Sequence, residues 1–439
     1  MIFFPRSFSA ARWRWLWLLA LTGSLVGGCA NPNQKKIDQA VNDYFIGNYE
    51  QARQILRPLA QEENEDFVLN NLRLASVCLT DYHLIESEAA FLRAYEVINA
   101  VGVNDGGRSL GAVLVDEKIK VWKGEPFERA MANFYLGMVY YMKQDYLNAR
   151  AAFENALFKL RDYGEEADSP DKYAQVESNF TAAYLMLGRC WQQIGREDQA
   201  RAAFARMARL RPDLAPLADY DRNRGANVVL FIDVGYGPQK VTDADGAIVG
   251  FAPLPAQEGP IPLPRVLLDN RYVDLDEIDR PLFDLLALAQ DRRWQSIDTI
   301  RAVKSAVGTG LLAAGAIEGV RGLNESGAAQ RRDLIASAIL LGAGLFLKAT
   351  SQADIRQWEM LPRTTYVLPM RLPPGEHDLT IELPNLPGLF QTWRHIIVPP
   401  SGQASYYFRL QRWNSGYYDW PPRALIEQPP PLIAVPHGG

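Results

Sequence analysis

One spacing of small and aromatic residues occurs twice between Ala130 and Pro212, and it constrains the fold more than any other feature of the chain. After a Leu-Gly pair, an aromatic, an alanine, a phenylalanine and a small or apolar residue follow at steps of three, nine, four and three residues. The first copy is Leu136, Gly137, Tyr140, Ala149, Phe153 and Ala156, and the second is Leu187, Gly188, Trp191, Ala200, Phe204 and Met207. Steps of three and four follow one helix face, so each copy predicts two helices joined by a short turn.

This order of residues is the tetratricopeptide pattern, in which two helices pack back on each other. The glycine lets the partner helix approach closely, and the aromatic residue one turn later fills the space beside it. The alanine lies at the helix crossing, where a larger side chain would force the pair apart. We therefore assign structural roles to Gly137, Tyr140, Ala149, Phe153, Gly188, Trp191, Ala200 and Phe204.

Two weaker copies of the spacing come earlier in the chain. They are Ala40, Asp43, Ala52, Leu56 and Leu59, and then Ala75, Cys78, Ser87, Phe91 and Ala94. Their first residues are 35 positions apart, close to the 34 residues of a regular repeat. The sequence predicts four helix pairs between about residues 37 and 214, within a helical region of residues 37–221.

Stacked helix pairs form a curved solenoid whose first helices line the concave side. Aromatic residues, Met and Arg concentrate binding energy at interfaces, so this side is predicted to bind an extended or helical peptide with an acidic group. The predicted lining residues are Phe134, Met138, Tyr141, Leu185, Arg189 and Gln192. The alternative is that another part of the same chain packs into this groove.

The N-terminus predicts export from the cytoplasm. Three arginines precede a short apolar run, residues 15–26, which is shorter than the roughly 20 residues that a bilayer-spanning helix needs. The run ends in Val26-Gly27-Gly28-Cys29, which resembles a bacterial lipobox. That resemblance implies a signal peptide of residues 1–28, lipidation of Cys29 and a tether of residues 29–36. Ala30 after the cysteine implies the outer membrane.

The second half of the chain predicts a mixed domain, residues 222–411, so the fold class is α+β. A run rich in β-branched residues, 228–232, predicts a buried strand, and residues 240–249 predict a hairpin. Four short apolar runs within 366–408, separated by Pro- and Gly-rich turns, predict a small antiparallel sandwich. The Pro-rich residues 412–439 predict an extended or disordered tail.

Between these strands, residues 281–349 predict a glycine-rich helical hairpin. Ala302, Ala306, Gly310 and Ala314 place small residues at every fourth position, which allows two helices to pack at close range. The two apolar runs, 305–317 and 335–347, are shorter than a bilayer span. We expect the hairpin to be buried in the fold, with a membrane-inserting export or pore component as the alternative.

The sequence offers little catalytic chemistry. The four histidines are not at metal-ligand spacing, and there is no Cys-x-x-Cys or phosphate-binding loop. Gly107-Arg108-Ser109-Leu110-Gly111 matches the nucleophile elbow of serine hydrolases, but that motif requires a strand before it, and Ser109 lies between predicted helices. We expect no enzyme activity, cofactor or metal. With a net charge of −5 and no basic stripe, nucleic acid is not an expected partner.

A dense segment, residues 353–362, contains Asp354, Arg356 and Trp358 and predicts a fixed connector with an internal Asp–Arg pair and a buried Trp. The lipobox, the degenerate repeats, the glycine-rich helices and this connector together resemble a family of bacterial envelope lipoproteins. The resemblance implies no reaction and no ligand. It implies a lipid-anchored outer-membrane protein facing the periplasm, which binds protein partners in cell-envelope assembly.

Overall fold

The computed structural model describes residues 33–99, 121–160, 162–163, 175–176, 178–242, 248–254, 261–273, 281–291, 356–411 and 414–427. Several of the predictions concern residues outside these ranges. They are the lipidated Cys29, the elbow serine Ser109, the apolar runs of the glycine-rich hairpin, and Asp354 of the connector. These four stay predictions.

Eight helices form the four predicted pairs, each packed against its partner and against the next pair. The first pair is α1 (Gln34–Phe45) and α2 (Tyr49–Leu59), the second α3 (Phe67–Thr80) and α4 (Leu84–Asn99), the third α5 (Pro126–Met142) and α6 (Tyr146–Phe158), and the fourth α7 (Thr181–Gln193) and α8 (Glu197–Leu210). A 3₁₀ segment (Pro212–Ala218) and α9 (Tyr220–Gly225) follow. The α+β fold class and its tetratricopeptide-like N-terminal region are confirmed.

The two glycines of the repeat spacing lie where two helices make their closest contact. A methyl group on Gly137 would lie 2.8 Å from the ring of Phe153, and one on Gly188 would overlap the ring of Phe204. Because ordinary carbon contacts are about 3.5–4.0 Å, neither position has room for a side chain. Ala149 and Ala200 at the crossings are fully buried.

The strands form two larger sheets. In the first, the central strand β3 (Val228–Val234) pairs antiparallel with β8 (Thr364–Met370) and parallel with β11 (Ala404–Leu410). The strands of the second are β6 (Arg265–Leu268), β7 (Arg271–Tyr272), β9 (Gly375–Glu382), β10 (Phe390–Val398) and β12 (Gly416–Asp419). They lie in the order β12-β10-β9-β6-β7.

Smaller elements complete the described parts of the chain. Two short hairpins join β1 (Asp162–Tyr163) to β2 (Gln175–Val176) and β4 (Gln239–Thr242) to β5 (Ile248–Ala252). Two short helices are α10 (Leu285–Gln290) and α11 (Arg423–Glu427). None of the helices in the described ranges is both long enough and apolar enough to span a bilayer.

Two sequence predictions for the second half are wrong. The four late strands do not form a separate antiparallel sandwich, because β8 and β11 flank β3 while β9 and β10 belong to the other sheet. Every residue of β3 is buried, so this strand needs a neighbour along each edge. The tail predicted as extended from residue 412 contains β12 and α11, and β12 pairs parallel with β10.

Candidate protein-binding surfaces of the repeats

The side of the repeats predicted to bind a partner is covered by the chain's own sheet. Of the six predicted lining residues, four have no exposed surface, Tyr141 is 1% exposed and Gln192 is half-buried. The four fully buried residues are Phe134, Met138, Leu185 and Arg189. The prediction that these residues form an open groove is therefore wrong. The alternative, in which another part of the chain fills the groove, describes Tyr141 and Arg189, which contact Gln403. Phe134 instead packs on Phe153 and Phe180 within the repeats.

Arg189 of α7 closes this interface with hydrogen bonds. Its Nη2 donates to Oε1 of Gln403 (2.8 Å), its Nη1 to the carbonyl of Asn223 (2.7 Å), and its Nε to the Tyr141 hydroxyl (3.1 Å). The Gln403 amide also donates to the Tyr141 hydroxyl at 2.6 Å. Because internal acceptors satisfy the guanidinium, Arg189 is not available for an acidic partner.

A second buried network joins α5 to the three-stranded sheet. The carboxylate of Asp233 on β3 accepts hydrogen bonds from Tyr135 (2.6 Å), Tyr407 (2.7 Å) and Thr365 (2.5 Å). Burial raises the pKa of Asp233, while the nearby Arg409 guanidinium and the three hydroxyl donors oppose that rise. A buried carboxylate is tolerated when it is hydrogen-bonded in this way, so the network fixes the sheet against the third pair.

The connector before β8 is fixed to the repeats at several points. Nη1 of Arg356 pairs with Asp66 at 2.8 Å, and the indole N–H of the buried Trp358 donates to the Ser76 hydroxyl at 3.1 Å. The backbone N–H of Trp358 donates to Glu128 of α5 at 2.7 Å. Burial raises the pKa of Glu128 to about 7, although Lys240 and two backbone N–H groups favour its charged form.

An open groove remains on another side of the repeats. It lies between α6 and α8, with α7 as its floor, and its volume is about 390 Å³. Ligand-binding clefts typically enclose about 300–1,000 Å³. Polar and apolar groups contribute about equally to its lining surface. The apolar residues are Leu157, Phe158, Tyr184, Leu187, Trp191, Ala202 and Ala203, and the polar ones are Glu154, Asn155, Gln199 and Arg206.

The corresponding space between the second and third pairs is bridged by a tyrosine. Tyr95 lies eight residues after the crossing residue of α4, and Leu157 lies eight residues after that of α6. The Tyr95 hydroxyl accepts a hydrogen bond from the Asn155 amide at 2.9 Å, which ties α4 to α6. Leu157 is shorter and has no such group, and it lines the open space between α6 and α8.

The charges around the groove are not evenly distributed. Arg150 pairs with Glu154 at 2.7 Å and lies 4.8 Å from the centre of the Trp191 ring. At the other end, Nζ of Lys159 is 6.0 Å from the centre of the Phe158 ring. Partial burial, and then the positive charges of Arg129 and Lys123, lower the pKa of Lys159.

A separate polar cluster at the first and second pairs does not make a convincing cation site. Within the described ranges, Glu50, Asp81 and His83 have ligand atoms within 4.8 Å of one another. However, the Arg53 guanidinium contacts both carboxylates, at 3.1 Å for Asp81. The cluster already contains its positive charge, and we assign it no ligand.

Sequence reasoning missed the groove because it examined each copy of the spacing by itself. The sequence did contain an indication of the groove. Tyr95 and Leu157 occupy equivalent positions of the second and third helix pairs, and only the first of them is aromatic. Spacing alone could not show that the concave side is filled, because Gln403, which closes it, lies in a turn far along the chain.

Comparisons with known proteins do not establish a family. No family model and no curated protein matches the sequence. Among solved structures, MamA is 14% identical over 39% of this chain and 73% of its own, with a TM-score of 0.26. BtubC from P. vanneervenii is 15% identical over 38% of this chain and 57% of its own (TM-score 0.25). A thermophilic TPR protein of Thermus thermophilus is 15% identical over 42% and 94% (TM-score 0.20).

Proposed function

We propose that this chain is a non-enzymatic scaffold that binds a partner protein in the groove between α6 and α8, while a lipid on Cys29 holds it at the periplasmic face of the outer membrane. The observation that carries the binding part is the groove of about 390 Å³ between the third and fourth pairs, whose lining includes Leu187 and Trp191. The anchoring part rests on the sequence around Cys29 and on the resemblance to envelope lipoproteins.

The residue types in the groove support protein binding. Trp and Tyr are enriched among the residues that dominate interface energies, and Trp191 and Tyr184 line the groove. Phe158, at one end of the groove, is 47% exposed. The concave side, which an open solenoid offers to partners, is already buried under the sheet. The groove therefore offers an added side chain contact with Leu187, Trp191 and Phe158.

Site-specific crosslinking tests the groove. A photoreactive benzoylphenylalanine in place of Ala202, which is exposed in the groove lining, should form an adduct with one partner protein in envelope preparations. The matched control is the same substitution at Ala205, an exposed position of α8 outside the lining. Leu157→Tyr, which narrows the groove at one wall, should sharply reduce the Ala202 adduct. An adduct that Leu157→Tyr leaves undiminished, or that forms equally at Ala205, would overturn the groove as the binding site.

The anchor has an independent test. Cys29→Ser should leave the precursor uncleaved, or release the chain from the membrane if another peptidase cuts it. Metabolic labelling with a fatty acid should mark the parent chain and not the variant. If the variant carries the label and sediments with the outer membrane as the parent does, Cys29 is not the lipidated residue, while the groove is unaffected.

A further inference from the structure

One histidine joins two turns at an end of the five-stranded sheet. Nδ1 of His377 on β9 lies 2.8 Å from Oδ2 of Asp269, in the turn between β6 and β7. Its Nε2 lies 2.9 Å from the carbonyl oxygen of Pro373, in the turn between β8 and β9. The His377 side chain is 13% exposed, so these two contacts account for the hydrogen bonding of both ring nitrogens.

Both partners of the ring are acceptors, and this selects one protonation state. A neutral imidazole has a single N–H, whereas the imidazolium donates from both nitrogens. The hydrogen bond from His377 is the main reason why the pKa of Asp269 is lowered from its ordinary value, so this carboxylate stays charged throughout the range in which histidine titrates. The two contacts of His377 can therefore form together only while its ring is doubly protonated.

The turn that contains Asp269 depends on this junction. Asp269 (φ 50°) and Asn270 (φ 62°) both lie in the left-handed region, which is unfavourable for residues other than glycine. The Asp269 N–H donates to the carbonyl of Asp378 at 2.9 Å, and the Asp378 N–H donates to Oδ1 of Asp269 at 3.0 Å. The same carboxylate thus holds the hairpin to β9 and pairs with His377.

We infer that His377 is a pH-sensitive latch, which holds the β6–β7 hairpin and the β8–β9 turn together while its ring is an imidazolium and loosens this junction when the ring loses a proton. A neutral ring gives up one of its two acceptors and its ion pair with Asp269. The latch is therefore closed on the acid side of the histidine range, which is centred near pH ~6.5 for an unperturbed ring, and it opens as the pH rises through that range.

Other charged groups on the elements that meet here do not replace His377. Glu376 pairs with His395 at 2.7 Å, and both side chains are mostly exposed. Oδ1 of Asp378 accepts the backbone N–H of His395 at 3.2 Å. Arg271 of the hairpin favours the charged form of Asp269, and Arg371 before the β8–β9 turn is exposed. Because both arginines keep their charge at neutral pH, the two histidines are the groups whose charge changes there.

Hydrogen exchange on either side of the histidine range tests the latch. Exchange of the full chain in detergent is followed by residue-resolved mass spectrometry at about pH 5.5 and about pH 8, and corrected for its intrinsic pH dependence. The opening that exposes the Asp269 and Asp378 amides should be about fivefold more frequent at the higher pH, the upper end of what an exposed ion pair contributes. His377→Gln has no titratable ring and should show equal opening at both. The buried strand Val228–Val234 should not respond.

His395→Gln is the matched control, because its pair with Glu376 is exposed and lies on the neighbouring strand, and it should keep the full pH dependence. The chain has four histidines, so the ring signal of His377 can be assigned by nitrogen NMR from its absence in His377→Gln. The titration of this ring should coincide with the loss of protection. A pH dependence that persists in His377→Gln, disappears in His395→Gln, or does not follow the His377 ring would overturn the latch.

Discussion

The two sides of α7 show how one helix serves the fold and leaves a surface for binding. On one side, Leu185 and Arg189 have no exposed surface, and Arg189 hydrogen-bonds Gln403. On the other, roughly 120–160° around the helix axis at 100° per residue, Leu187 and Trp191 form the floor of an open groove. Both sides carry residue types that favour binding. What separates them is whether another part of the chain packs against them, and the following predictions test that difference.

The largest effect is expected on the side that faces the sheet. Arg189→Ala should lower the free energy of unfolding by roughly 3–5 kcal/mol, because buried acceptors on Tyr141, Asn223 and Gln403 lose a charge-assisted donor. Urea unfolding measures the change. Arg150→Ala is the control on the groove side and should cost about 1 kcal/mol or less, since its pair with Glu154 is solvent-accessible. Equal losses for the two arginines would contradict the division between the sides.

A smaller loss of stability is expected from a substitution inside the fourth helix pair, where α7 contacts α8. Gly188→Ala should destabilise the protein by about 1–3 kcal/mol, the usual range for overpacking, because its methyl group would overlap the Phe204 ring. Thermal unfolding provides the measurement. Gly225→Ala is the matched control, since no atom lies within 4 Å of a methyl group there. A neutral result at Gly188 would mean that the pair can separate without cost.

The hydrogen bond that bridges the second and third pairs should contribute less. Tyr95→Phe removes the hydroxyl that accepts from Asn155 and should cost about 1 kcal/mol. Tyr272→Phe changes an exposed tyrosine and should be nearly neutral in the same denaturant titration. If Tyr95→Phe is also neutral, the bond does not distinguish the bridged junction from the open one.

The smallest effect on stability is expected from the substitution that narrows the groove. Leu157 is 5% exposed and also lines the groove, so Leu157→Tyr adds its extra atoms at the edge of the packed core and should change the free energy of unfolding by about 1 kcal/mol or less. Partner crosslinking from position 202 should nevertheless be sharply reduced. A large loss of stability would show that this space cannot accept a ring, and that Leu157 is fixed by packing.

The helical half of the fold could be predicted because its rules are local. Gly137 and Phe153, or Gly188 and Phe204, meet within one helix pair, and the steps between them follow from helix geometry. The strand of Val228–Ile232 could be predicted equally well, since a short run of β-branched residues favours a buried strand. The pairing of the strands into sheets could not be predicted, because β3 pairs with strands that come more than a hundred residues later.

By itself, the sequence determined which residues form the helix pairs and which runs form strands, because helix and strand periodicity depend on neighbours only a few positions away. The tertiary structure alone decided that Arg189, Tyr141 and Phe134 are core residues and that Leu187 and Trp191 line a groove. The physical reason is that burial depends on what packs against a face. Which face is buried depends on side chains distant in sequence, such as Gln403, which packs over Arg189. It also depends on the residue at position 157, which is a leucine and not an aromatic residue.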